Sequence, residues 1–239
     1  MSSYRTLNGW DFAFRLLLEE SHCIIGGTTG SGKSTLLTDI LYTATAFDPQ
    51  CEKLVLIDLK RVELTDWTSF PHTLKTVTEP EDVNRCLDWV IKEMESRYKV
   101  MQKRRQKKSD MCRIHVVIDE LAEVMRVKGA EERIDKLMRL GRAANIALIM
   151  ATQNVSRSSG IPARIYQNAS CRIGLRCTSP IESRQIIGVK GCECLPRYGK
   201  CYIQNADGLL LQDVPQTPQQ LIEQRLQMYK HPIRFRRVG

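Results

Sequence analysis

The chain has 239 residues, 42% hydrophobic and 26% charged, a composition of soluble globular proteins and enough length to bury a core without disulfides or metals. Its 36 lysines and arginines outnumber 27 aspartates and glutamates, so the net charge is +9, which suggests a polyanionic partner and leaves the fold open. No apolar run approaches the ~20 residues of a membrane-spanning helix, Asp11 and Arg15 interrupt the N-terminal apolar stretch, and nine cysteines form an odd set, so reduced thiols in a cytoplasmic protein are expected.

Short apolar strands alternate with amphipathic helices, the pattern of an α/β domain on a mostly parallel sheet. A first strand at Cys23–Ile25 runs into a glycine-rich segment, and a helix from Ser34 to Phe47 ends at Asp48-Pro49. A strand over Lys53–Asp58 and a short extended piece over Leu74–Val77 follow. Pro80 opens a long helix whose apolar positions, including Val83, Leu87, Val90 and Met94, share one face; Ser109-Asp110 ends it. Strands at Ile114–Asp119 and Ile146–Ala151 bracket helical stretches over Leu121–Val127 and Glu131–Ala144. Further strands are predicted at Cys171–Arg176 and Lys200–Gln204, with a helix-like Ser179–Ile187 between them, and a terminal strand at Leu209–Leu211. Pro215 and Pro218 mark a boundary between a main domain over residues 1–215 and a basic tail over 216–239 with one predicted helix, Gln219–Lys230.

Gly27-Thr28-Thr29-Gly30-Ser31-Gly32-Lys33-Ser34 matches the Walker A pattern G-x-x-x-x-G-K-[ST] in full, between a strand and a helix, with Thr35 next. Glycines let backbone N–H groups turn toward phosphate oxygens, and the helix start adds a positive dipole end. Lys33 would reach the β- and γ-phosphates and the Ser34 hydroxyl would bind Mg²⁺. ATP and Mg²⁺ are the expected cofactors. The second half of such a site needs a carboxylate at the end of a buried strand, and Asp119 and Glu120 supply it: Asp119 to hold the metal, mainly through water, and Glu120 to orient and activate the attacking water. Asp58, at another strand end, is a weaker competitor for the metal. Gln153, after the next apolar strand, is placed to sense the γ-phosphate, with an ordinary strand-end turn as the alternative.

Taken in order, these segments resemble the motor domain of FtsK/SpoIIIE-type ATPases. The resemblance rests on GTTGSGKST (27–35), LIDLKRVEL (56–64), SFPHTLKTVTEPED (69–82), WVIKEMESRYKVM (89–101), VVIDELAEVM (116–125), LGRAANIALIMATQNVS (140–156) and ARIYQNASCRIGLRCTSPIESRQIIG (163–188). It implies a RecA-like P-loop core with helices on both faces of the sheet, a homo-oligomeric ring, hexameric as in the family, and ATP hydrolysis coupled to movement of double-stranded DNA. It also implies an arginine supplied in trans: Arg142 falls in the family's GRAAG-like segment, and Arg139, one helical turn away, is the alternative. Arg61, Arg172, Arg176 and Arg184 are further basic positions in family-like blocks. Family motors usually carry a membrane-spanning N-terminus, an extra subdomain and a DNA-reading domain. None is read in this chain, so membrane-anchored partner proteins, without direct membrane insertion, and a transfer role in a mobile or conjugative element are implied.

Two other classes stay open: a protein-export ATPase of the type VII secretion kind, and a nucleotide-binding interaction module without motor activity. Arg97–Lys108 holds Arg97, Lys99, Lys103, Arg104, Arg105, Lys107 and Lys108 with no acid, which suits either phosphate binding without sequence choice or a solvated helix end. The polar loop Asn154–Gly160, with Arg157, is a candidate DNA contact or a plain surface loop. The basic tail reads as DNA-binding, membrane-surface-binding or disordered, with disorder favoured. No C-x-x-C spacing points to zinc.

Overall fold

The computed structural model describes residues 20–153, 155, 160–214 and 216–230. Among these, eight strands form one sheet in the order β3-β2-β4-β5-β1-β6-β7-β8. They are β1 (His22–Gly26), β2 (Glu52–Ile57), β3 (Thr73–Val77), β4 (Arg113–Ile118), β5 (Ile146–Thr152), β6 (Cys171–Gly174), β7 (Lys200–Asn205) and β8 (Gly208–Asp213). β3 through β6 in that order run parallel, whereas β7 and β8 are antiparallel additions at one edge.

The central strands are apolar nearly throughout because both of their faces are covered. Successive residues point to opposite sides. Ile24, Val55, Ile57, Val116, Ile118, Leu148 and Met150 enter one core layer, against α2 (Pro80–Arg104), α3 (Leu121–Met125), α4 (Ala130–Leu140) and α5 (Ala163–Asn168). Cys23, Ile25, Leu54, Leu56, Val117, Ile149 and Ala151 enter the other, against α1 (Lys33–Ala44). α6 (Pro180–Ile187) packs with the turn Cys192–Cys194 in a smaller cluster. No described helix is long and apolar enough to cross a membrane.

Two sequence readings change here. The predicted helix Gln219–Lys230 is present with those bounds as α7, so this part of the tail is ordered where disorder was favoured, and it docks on α1: Ile222 is buried, Tyr229 Oη donates to Thr45 O at 2.9 Å, and the Arg225 guanidinium lies 3.4 Å from the Tyr42 ring centre. Apolar residues Leu221, Ile222 and Leu226 recur at helical spacing and give α7 a face to bury, which its basic residues masked in the composition. The tail beyond it lies outside the described residues.

The second change concerns Arg97. It cannot serve in a phosphate-binding surface, because its side chain is 1% exposed. Its guanidinium donates to the carbonyls of Cys112 at 2.7 Å and Ala144 at 2.9 Å and pairs with Glu93 at 2.9 Å. It ties the loop before β4 to the turn before β5. Lys99, Lys103, Arg104, Arg105, Lys107 and Lys108 remain exposed, with Arg104 facing Asp110 at 3.4 Å. The short helix α5 was not anticipated; its six residues lack a long apolar repeat.

Candidate nucleotide site

Parallel strands deliver their C-terminal ends to one edge of a sheet, and β1, β2, β4 and β5 carry the candidate site there. The loop after β1 is pinned on both sides. Gly27 N donates to Thr152 O at 3.3 Å, and Thr28 N donates to Arg176 O at 3.0 Å. Gly30 and Gly32 hold φ of 73° and 94°, left-handed values that side chains rarely adopt, so the loop curls inward only because glycine stands at both places. Gly32 is the N-cap of α1, and Lys33, Ser34 and Thr35 fill its first turn.

Lys33 is 4% exposed, and its Nζ lies 3.9 Å from Asp119 Oδ1, itself on a residue 1% exposed. Lys33 Nζ, Ser31 Oγ and both Asp119 carboxylate oxygens are buried without a hydrogen-bond partner. Burial pushes the Asp119 carboxyl up to about 6 against the pull of Lys33, and the negative charges of Asp58 and Glu63 push it the same way. Buried polar groups left in this state cost free energy until a ligand satisfies them. A polyphosphate carrying a divalent cation offers acceptors to the ammonium and the hydroxyl and positive charge to the carboxylate. The residues present fit that group.

Glu120 is 6% exposed and held from three directions. Thr152 Oγ1 donates to Oε1 at 2.7 Å, Gln153 N donates to the same oxygen at 3.1 Å, and Lys60 Nζ donates to Oε2 at 3.0 Å. Burial pulls the Lys60 ammonium down, but its bond to Glu120 and the charges of Glu120, Asp119 and Glu123 hold it above its usual value. Gln153 reaches the loop itself: Thr29 Oγ1 donates to its Oε1 at 2.9 Å. The structure thus brings Gly27 through Thr35, Asp119, Glu120 and Gln153 to one edge.

Asp58 drops out as a metal ligand. Its Oδ1 accepts from Lys60 N at 3.1 Å and Arg61 N at 2.9 Å, and its Oδ2 from Val62 N and Leu64 N at 3.0 Å each. Four backbone donors leave it the organiser of a turn, and that turn aims Lys60 at Glu120. Lys60 was missed in the sequence. Its role depends on β2 lying beside β4, a neighbour relation that chain order does not state.

Arg142 is exposed, in the turn between α4 and β5. It therefore precedes β5, at the sheet edge opposite the phosphate loop of the same chain. Arg139 pairs with Asp135 at 2.9 Å. Arg61 pairs with Glu79. Arg172 and Arg184 line a separate cavity of about 860 Å³ beside α5 and α6. Of the loop over residues 154–160, Asn154 and residues 156–159, including Arg157, lie outside the described residues. No cluster of three or more metal-ligating side chains occurs among the described residues.

The FtsK/SpoIIIE family model matches residues 6–114. The DNA translocase FtsK of Caldanaerobacter subterraneus subsp. tengcongensis is 36% identical over 196 residues, 75% of this chain and 27% of that protein. The Staphylococcus aureus DNA translocase FtsK is 36% identical over 220 residues, 80% of this chain and 27% of its own length. The chain thus spans about a quarter of these curated relatives. Among solved structures, the pCW3 conjugation coupling protein TcpA, a monomer form with ATPγS, superposes with a TM-score of 0.77 at 23% identity, over 90% of this chain and 66% of that one. The cytoplasmic domain of the Thermomonospora curvata type VII secretion ATPase EccC gives 0.76 at 24% identity, over 87% of this chain and 28% of that one. At these identities the structures support the fold. With the motif order and the site geometry, the sequence relatives fix the family: the chain carries an FtsK/SpoIIIE-type P-loop ATPase domain.

Proposed function

We propose that the chain hydrolyses ATP to drive double-stranded DNA through a ring of its own copies. The observation that carries the DNA reading is the 36% identity to proteins named DNA translocases, sustained over 75% to 80% of this chain. The secretion ATPase EccC, at 24% identity, shares the fold alone. A net charge of +9 suits a polyanionic track. The conjugation protein among the fold neighbours fits a transfer role for such a motor, with membrane-anchored partner proteins supplying its location.

In this reading the loop amides and Lys33 bind the phosphates, and Ser34 and Asp119 hold Mg²⁺, which supplies charge neutralisation when bound. Glu120 orients the attacking water and accepts its proton, held in place by Thr152 and Lys60. Gln153, bridging Thr29 and the Glu120 strand end, reports the γ-phosphate. Arg142 cannot reach its own phosphate loop from the opposite sheet edge, so it acts on the site of a neighbouring subunit, and a closed ring, hexameric by family analogy, completes each site.

A triplex-displacement assay tests the claim: the protein with ATP should strip a third strand from long duplex DNA, and Glu120→Gln should not. ATP turnover without displacement on any duplex would point to another substrate.

A further inference from the structure

The catalytic carboxylates approach the phosphate loop from one side only. β1 sits between β5 and β6. Asp119, Glu120 and Gln153 follow β4 and β5, so they mark where the γ-phosphate lies. The rest of a bound nucleotide must leave the loop on the β6 side. There the loop is fastened to the carbonyl of Arg176, which Thr28 meets with both its N–H at 3.0 Å and its hydroxyl at 3.1 Å.

Arg197 occupies that side. It stands in the connection between the turn Cys192–Cys194 and β7. A Cβ placed on Gly30 would meet Arg197 Nη2 at 3.2 Å, Nε at 3.7 Å and Cζ at 3.9 Å, so the guanidinium edge lies against the fourth residue of the Walker A loop. Its Cζ lies 5.2 Å from the Tyr198 ring centre, and Tyr198 is itself 54% exposed. Among the described residues no carboxylate pairs with Arg197. A guanidinium without an acid partner, resting on a loop built to bind phosphates, keeps its donors for an anion. The exposed ring beside it is a flat apolar surface suited to a sugar or base.

We propose that Arg197, backed by Tyr198, is a nucleotide-binding residue of this chain's own site, gripping the α- and β-phosphate and ribose end of the nucleotide and not the γ-phosphate. This rests on the nucleotide reading of the loop. Because the contact is made equally to ATP, ADP and the transition state, it contributes uniform binding: its loss raises KM and leaves kcat alone. A bidentate fork also distinguishes it from lysine, which offers a point charge.

The test uses fluorescent mant-ADP and mant-ATP titrations of the full chain with Mg²⁺, together with steady-state turnover, for Arg197→Ala, Arg197→Lys and Lys33→Ala. Thermal melting without nucleotide confirms that each variant folds. Arg197→Ala should weaken both nucleotides by a similar factor, about ten-fold, and raise KM accordingly, with kcat at saturating ATP changed less than two-fold. Arg197→Lys should recover part of the loss. Binding of ADP within two-fold of the parent would overturn the assignment. So would a loss confined to ATP, or a fall in kcat at unchanged KM, since either would place Arg197 at the γ-phosphate. Lys33→Ala separates the two claims. If it too binds both nucleotides like the parent, the nucleotide site itself is wrong; if it alone loses binding, only the role of Arg197 fails.

Discussion

Thr152 donates its hydroxyl to Glu120 Oε1 at 2.7 Å, joining the last residue of β5 to the carboxylate that follows β4. The bond is buried and, with those from Lys60 and Gln153 N, fixes the orientation of the carboxylate. Glu120→Gln should therefore bind ATP as the parent does while turnover falls about 10²–10⁴-fold, the range for loss of a positioned general base. Thr152→Val keeps the shape and removes only the donor. It should lower kcat by about ten-fold with KM nearly unchanged. Equal activity in Thr152→Val would mean that Gln153 N and Lys60 hold Glu120 unaided.

Lys33 and Asp119 are buried with unsatisfied polar atoms. Lys33→Ala should abolish the rise in melting temperature that MgATP gives the parent, because ligand stabilisation follows affinity. A full thermal shift in this variant would place nucleotide binding elsewhere.

Arg142 and the phosphate loop lie at opposite edges of the sheet. Arg142→Ala and Lys33→Ala should each be nearly inactive alone. Mixed, they should regain a measurable fraction of parental turnover, since some interfaces pair an intact loop with an intact arginine. Persistent inactivity of the mixture, with both variants still assembling, would remove Arg142 as the trans residue and turn attention to Arg139.

Arg97 satisfies the carbonyls that stitch the turn of Arg142 to the loop before β4. Arg97→Met should destabilise the protein by about 3 kcal/mol in urea unfolding, because those carbonyls lose a charged donor and Glu93 its partner. DNA affinity measured well below the melting temperature should be unaffected.

His22 is 3% exposed, and its Nδ1 accepts the N–H of Leu148 at 3.2 Å. Burial, the Arg113 charge and, more weakly, the Arg142 charge lower its pKa from the usual 6.5 to about 4. The folded state therefore resists its protonation. Its contribution is complete above about pH 6.5 and is lost as pH falls through 4, by at most roughly 3 kcal/mol. His22→Gln should start less stable at pH 8 but show a flatter acid limb in melting curves between pH 6.5 and 4.

The phosphate loop was legible because its chemistry is local: eight consecutive residues carry glycines, lysine and serine between a strand and a helix. Asp119 and Glu120 were legible for a similar reason, sitting at the end of a continuous apolar strand. What the sequence hid depends on which strands are neighbours. Asp58 and Lys60 look alike as strand-end polar residues, yet Asp58 spends both oxygens on its own turn while Lys60 crosses to Glu120. Arg97 looked like one more charge in a basic run, although its place on the face of Val90 and Met94, at i and i+3 or i+7 spacing, was readable as inward. Arg197 carried no signal, because only folding brings residue 197 to residue 30.

The decisive measurement for a ring-shaped DNA motor is ATP turnover across a range of protein concentrations, with and without long double-stranded DNA, at low and moderate salt. Turnover per subunit should rise steeply with concentration, be strongly stimulated by DNA, and lose part of that stimulation as salt increases. Turnover per subunit that is constant with concentration and indifferent to DNA would contradict a ring-shaped DNA motor.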